Sequence, residues 1–209
     1  MKKSVGIILG FVLSTSAAFA EKTKAEKNAF RIDSKASKVY WTGKKVIGQH
    51  TGTLSIYGGD VILSGDKIVS ASVKMDMNSI VCTDLTDEQW NKKLVGHLKS
   101  NDFFSVEKYP EATFEANGFQ PKSLDEDGNN YEVSGALTIK EITHEIKFPA
   151  KVNISDSKLT AIGKATINRI KYDIKYGSGS FFKGLGDNMI SDEFEISFEL
   201  VANMESVDL

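Results

Sequence analysis

Apolar residues recur at every second position through most of the chain, which is the period of a strand with one face on a core. After Pro110, Ala112, Phe114, Ala116 and Gly118 fall on one side, with Thr113, Glu115 and Asn117 on the other. The alternation returns in Tyr131, Val133, Gly135, Leu137 and Ile139, in Ile146, Phe148, Ala150, Val152 and Ile154, and in Leu159, Ala161, Gly163, Ala165 and Ile167. It is cleanest at Phe194, Ile196, Phe198 and Leu200, interleaved with Glu193, Glu195, Ser197 and Glu199. Nearer the start, Val39-Tyr40-Trp41-Thr42 is strand-like by residue type, and Gly52, Leu54 and Ile56 share one face of the next strand. Gly58-Gly59 reads as a turn into a short strand at Val61 to Leu63, and Val69, Ala71, Val73, Met75 and Met77 mark the strand after that.

The interruptions are as informative as the runs. Asp125 to Asn130 reads as a charged hairpin tip, Lys140 to Thr143 as a tight turn, and Pro149 as a bulge or an unpaired edge position. The slip of phase from Ile167 to Ile170, Tyr172 and Ile174 reads as a β-bulge. Between Thr86 and Ser100 the period lengthens, and Trp90, Leu94 and Leu98 share a face of the one predicted helix, with Thr86 and Gln89 at capping-box spacing. Trp90 is accordingly expected to pack. His97 to Phe119 then carries the chain from the helix into the sheet.

About eight such strands bury their apolar faces only in a closed barrel or a two-sheet sandwich. The barrel is preferred because closure leaves no exposed edge, so the fold class is all-β, an antiparallel barrel with a short helix over one end. Gly52, Ala71, Ala116, Gly135, Ala161, Gly163 and Ala165 share the inward phase. Small inward residues either leave room for a ligand or make space for large neighbours, and the alternation leaves both readings open.

Lys2 and Lys3, the apolar run Val5 to Leu13 and Ala18-Phe19-Ala20 form a signal peptide over residues 1–20, too short for a membrane span. No cysteine follows the cut, so no lipoprotein anchor is indicated. Residues 21–29 read as a flexible leader, 30–203 as the domain and 204–209 as a tail. Cleavage removes two lysines and takes the formal net charge from −2 to −4, which argues against a nucleic-acid partner. Cys82, the single cysteine, forms no intramolecular disulfide and offers no catalytic or metal role from its sequence neighbours.

Enzyme chemistry has little to rest on. His50, His97 and His144 are far apart, without metal-ligand spacing, and no nucleophile elbow or phosphate loop is present. His97 is positioned to pin the helix end to the sheet, and His144 to sit near a barrel mouth. Arg169, at the phase slip, either reaches inward toward a phosphate or carbonyl oxygen or is salt-bridged. Phe181 and Phe182, in a Gly-rich loop, are exposed or act as a gate on an apolar mouth.

The string GHLKSNDFFSVEKYPEATF resembles the most recognisable block of the YceI-like family of lipocalin-like proteins. Gly135-Ala136-Leu137-Thr138-Ile139 with Ile142-Thr143-His144, and Ala165-Thr166-Ile167-Asn168-Arg169 with Tyr172, are similar to two further blocks in the same order. The resemblance implies a lipocalin-like barrel, export to the periplasm, no catalytic activity and an isoprenoid chain along the interior. Where the family often has a histidine this chain has Ala36, and Leu94-Val95-Gly96 replaces a basic-acidic pair.

Strand phase and the resemblance together nominate Trp41, Leu54, Ile56, Val73, Met75, Phe114, Leu137, Ile139, Ile146, Phe148, Ile167, Arg169, Phe181, Phe182, Ile196 and Phe198 as ligand-binding residues, with no metal and no cofactor. The expected function is a periplasmic carrier of a long apolar lipid, a polyisoprenoid such as an isoprenoid quinone or polyprenyl phosphate. A homodimer and a membrane or protein acceptor for the lipid are left open. The alternatives are a secreted protein-interaction or stress-response module with a packed barrel, and an enzyme acting on the bound lipid.

Overall fold

Every alternating run becomes an antiparallel strand of one sheet that closes on itself, in a computed structural model that describes residues 27–205. The expected signal peptide and most of the leader and tail lie outside the described residues. The strands are β1 (Lys27–Ile32), β2 (Lys38–Lys45), β3 (Gln49–Ser64), β4 (Lys67–Cys82), β5 (Glu111–Pro121), β6 (Tyr131–Ile139), β7 (Ile142–Ile154), β8 (Lys158–Asn168) and β9 (Ile190–Met204), with helix α1 at Glu88–Lys99. β1 starts inside the stretch read as leader. β1 and β2 occupy successive halves of one position between β3 and β9, so nine strands make an eight-sided barrel. Ser37 splices the halves: its hydroxyl donates to the Val201 carbonyl and accepts from the Val201 N–H.

Two phase slips resolve differently from their sequence reading. Gly58-Gly59 is no turn: β3 runs straight through, and the slip is a register shift against β4. A Cβ on Gly59 would lie 1.9 Å from the Ser72 carbonyl oxygen, so the close approach of β4 demands glycine there. Conversely, the slip after Ile167 is a strand end and not a bulge. Asn168 accepts a hydrogen bond from the Ile170 N–H, and Arg169–Tyr172 turn into a 3-10 helix closed by Asp173 at φ 56°. A further shift opposite Ile62 and Leu63 turns Val69 out to solvent and Ile68 in.

Pro149 marks an edge. β7 pairs with β6 over Ile142–Ala150 and with β8 only over Ala150–Ile154, so Ile142–Pro149 part from β8. That seam is bridged by side chains to the 3-10 helix: His144 Nε2 lies 3.0 Å from the Lys171 carbonyl oxygen, and Lys140 Nζ donates to the Asp173 carbonyl. The turn between β6 and β7 places Lys140 and Glu141 at φ 53° and 60°, the left-handed pair of a two-residue hairpin.

α1 starts one residue later than the capping box suggests. The N-cap is Asp87, whose carboxylate accepts from the Trp90 N–H at 2.9 Å. No residue of α1 is fully buried, and Trp90, expected to pack, is 57% exposed under Lys93. Leu98, Phe103 and Phe104 are the groups that this segment turns toward the barrel. His97 ties the helix end to the neighbouring loops and not to the sheet, with Nε2 2.9 Å from Asp102 Oδ2 and its ring edge-on to Phe103 and Tyr176.

Candidate functional site

The barrel encloses a cavity of about 220 Å³ whose wall is almost wholly apolar. Its wall draws on the inward phase of all nine strands. The rings of Phe114, Phe148 and Phe198 form a chain across it, with centroids 5.4 and 5.6 Å apart. Leu98, Phe103 and Phe104 close one end, where Lys44, Arg169, Ser191 and Glu193 are the polar or charged residues of the lining. That end, where the polar groups gather, is the candidate mouth. A wall of this kind suits an extended hydrocarbon with any polar head group near the mouth.

The two readings of the small inward residues each hold in part. A Cβ on Gly163 would meet the Phe198 ring at 2.5 Å, and one on Gly52 the Trp41 ring at 2.6 Å, so these glycines accommodate large neighbours. Trp41 is fixed there by its indole N–H donating to the Val81 carbonyl at 3.1 Å. Ala71, Ala116, Ala161 and Ala165 instead line open space. The register sets Ala71 beside Ala116, which makes a trough of small residues across two strands.

All but three of the nominated residues line the cavity: Trp41, Leu54, Val73, Met75, Phe114, Leu137, Ile139, Ile146, Phe148, Ile167, Arg169, Ile196 and Phe198. Ile56 is buried in the core but off the lining. Phe181 and Phe182 face solvent, 49% and 50% exposed, outside the lining. Strand phase missed Phe119, which a register shift after Ala116 brings inward, and Phe103 and Phe104, which belong to no periodic run.

Arg169 is buried, and main-chain oxygens hold most of its donors. Nε donates to Ser191, Nη1 to Ile174 and Tyr176, and Nη2 to Ile190, at 2.8–3.1 Å, while Nη2 lies 3.6 Å from Asp192 Oδ1. The guanidinium thus ties residues 174–176 to the start of β9. Burial works against ionisation of Asp192, but the hydroxyls of Ser178 and Ser180 and the charge of Arg169 outweigh it and lower its pKa.

At the rim, folding brings together three residues whose spacing gave no signal. His50 Nδ1 lies 3.0 Å from Asp84 Oδ2, and the Cys82 thiol donates to Asp84 Oδ1 at 3.3 Å. Burial pushes the Cys82 thiol pKa up. Burial also disfavours ionised Asp84, yet the bonds from the Thr51 N–H, His50 and Cys82 prevail and lower its pKa. The cluster locks the end of β4 onto the start of β3.

The profile of the YceI-like domain family matches residues 30–202, which span the barrel from β1 to β9. The chain belongs to the YceI-like family. Among relatives, it is 31% identical over 163 residues to a UPF0312 protein of Staphylococcus epidermidis, covering 74% of this chain and 85% of that one. Among solved structures, BcnA of Burkholderia cenocepacia superimposes with a TM-score of 0.60 at 28% identity, over 81% of this chain and 98% of that one. A polyisoprenoid binding domain from Saccharophagus degradans shares the fold at 15% identity, with a TM-score of 0.57 over 84% and 98% of the two chains. As a member of the family, the chain has the lipocalin-like barrel that its alternation and its resemblance foretold.

Proposed function

We propose that this protein is a non-enzymatic carrier of a long apolar lipid, a polyisoprenoid such as an isoprenoid quinone or polyprenyl phosphate, and that it works in the periplasm after export. The observation that carries the reading is the cavity: an apolar wall running through the barrel, with polar residues only near one end. Each buried methylene is worth about 0.8 kcal/mol, so a long chain binds tightly with few polar contacts. The family membership and the polyisoprenoid binding domain that shares the fold support the same ligand class. A barrel packed solid, as an interaction module would have, lacks this space.

Two measurements test the proposal. Native mass spectrometry of the exported protein, followed by solvent extraction, should find an isoprenoid adduct at one per chain. Trp41 lines the cavity while Trp90 is exposed, so in a Trp90→Phe background quinone quenching of the remaining indole titrates the cavity alone. A bare protein that also takes up neither quinones nor polyprenyl phosphates would reject the carrier reading.

A further inference from the structure

The exposed apolar side chains gather beside the mouth. Val46 and Ile47 form the tip of the β2–β3 hairpin, and Ile47 is 70% exposed. The Val46 N–H donates to the Met189 carbonyl, and Lys45 pairs with Ile190, a residue of the cavity lining. Ile190 in turn bridges to Ser178, whose carbonyl accepts from the N–H groups of Phe181 and Phe182. Val46, Ile47, Phe181, Phe182 and Met189 are therefore neighbouring tips of two connected segments, 39–70% exposed. Nothing in the barrel's own packing requires them to face water.

The charges around these tips are mixed, with three unpaired lysines against two unpaired acids. Lys44, Lys45 and Lys183 are exposed, and among the described residues no ion pair engages them. Lys175 is paired with Asp173 and lies over the Phe181 ring. Asp187 and Glu193 are the nearby exposed acids, and Asp192 is taken up by Ser180 and Arg169. The apolar tips thus carry a slight excess of free lysines on a chain whose net charge is −2.

We propose that this rim docks the barrel mouth onto an anionic phospholipid surface, with the hairpin tip and the Phe181-Phe182 turn entering the headgroup layer and the lysines pairing with lipid phosphates. Separate apolar tips flanked by lysines match a bilayer interface, where short side chains insert and cations meet anionic headgroups. The placement has a purpose under the carrier reading, on which it rests: a long apolar chain passes between bilayer and cavity without crossing water.

The test is cosedimentation of the mature full-length chain with vesicles of phosphatidylcholine alone or mixed with phosphatidylglycerol, at low and high salt. The wild type should bind the mixed vesicles, bind phosphatidylcholine weakly, and lose affinity as salt rises. Lys45→Gln with Lys183→Gln should weaken binding to mixed vesicles by roughly twenty- to thirtyfold, about fivefold per lysine. Val46→Ser with Ile47→Ser, and Phe181→Ser with Phe182→Ser, should each weaken it at least tenfold, with unchanged circular dichroism. Equal binding to both vesicle types, or rim variants that bind like wild type, would overturn the proposal. So would sedimentation showing that the same variants split a dimer, because the rim would then be a self-interface. Quinone quenching of Trp41 without vesicles separates the two ideas: rim variants should retain it, and its failure would remove the carrier reading while vesicle binding still stood.

Discussion

Replacing Arg169 by methionine keeps a long side chain in place but removes four hydrogen bonds to main-chain oxygens of Ile174, Tyr176, Ile190 and Ser191. Orphaning four buried carbonyls at about 1–2 kcal/mol each gives about 4–8 kcal/mol. Three of the four bonds are only partly buried, so water recovers some of this, and about 4–6 kcal/mol is expected. Against a usual domain stability of about 5–15 kcal/mol, Arg169→Met should be near the limit of folding. Arg169→Lys keeps the charge but cannot span carbonyls on two segments, so it should lose about half as much. Urea unfolding measures both, and a thermal midpoint lower by about 10–20 °C should accompany the methionine variant. A loss under about 1 kcal/mol would refute the reasoning. So would an Arg169→Lys protein of intact stability that binds quinone or polyprenyl phosphate much more weakly, since Arg169 would then act on the ligand and not on the fold.

Other substitutions probe the cavity and the frame separately. Ala116→Leu projects into the trough beside Ala71 and should displace about three methylenes of ligand, about 2.4 kcal/mol or roughly fiftyfold in quinone affinity by Trp41 quenching, without lowering the thermal midpoint. Glu141→Gly relieves a left-handed residue in the β6–β7 turn and should raise stability by about 0.5–1 kcal/mol in urea titrations. The Tyr172 hydroxyl is buried and, among the described residues, has no partner, so Tyr172→Phe should stabilise by about 1 kcal/mol. Burial pushes the Tyr172 pKa up to about 12, so the folded state holds its proton after the unfolded chain has released it at about 10. Wild-type stability should consequently fall as pH rises from about 10 to 12, and Tyr172→Phe should flatten that part of the profile.

Strand content and the inward face were readable because a half-buried strand imposes a period of two that survives any packing detail: Phe114, Leu137, Phe148 and Ile196 needed nothing more. Phase slips were ambiguous because turn, bulge and strand end all displace the apolar register by one. At Gly58-Gly59 the deciding fact is a neighbour far away in sequence, Ser72, whereas Asn168 ends its strand through a local bond from the Ile170 N–H that alternation does not register. Contacts between distant residues left no local trace, so the cluster of His50, Cys82 and Asp84 and the use of Arg169 were out of reach. Trp90 was misplaced because helical spacing identifies a face but not whether anything covers it.

The seam between β7 and β8 changes what kind of container the barrel is. A ring of strands hydrogen-bonded all the way round has a fixed circumference, since widening it breaks backbone ladders. Here Ile142–Pro149 are fastened to the next segment by the side chains of His144 and Lys140, and their other edge carries no ladder to β8. At this place the circumference is held partly by side chains, where a full backbone ladder would hold it by main-chain bonds alone.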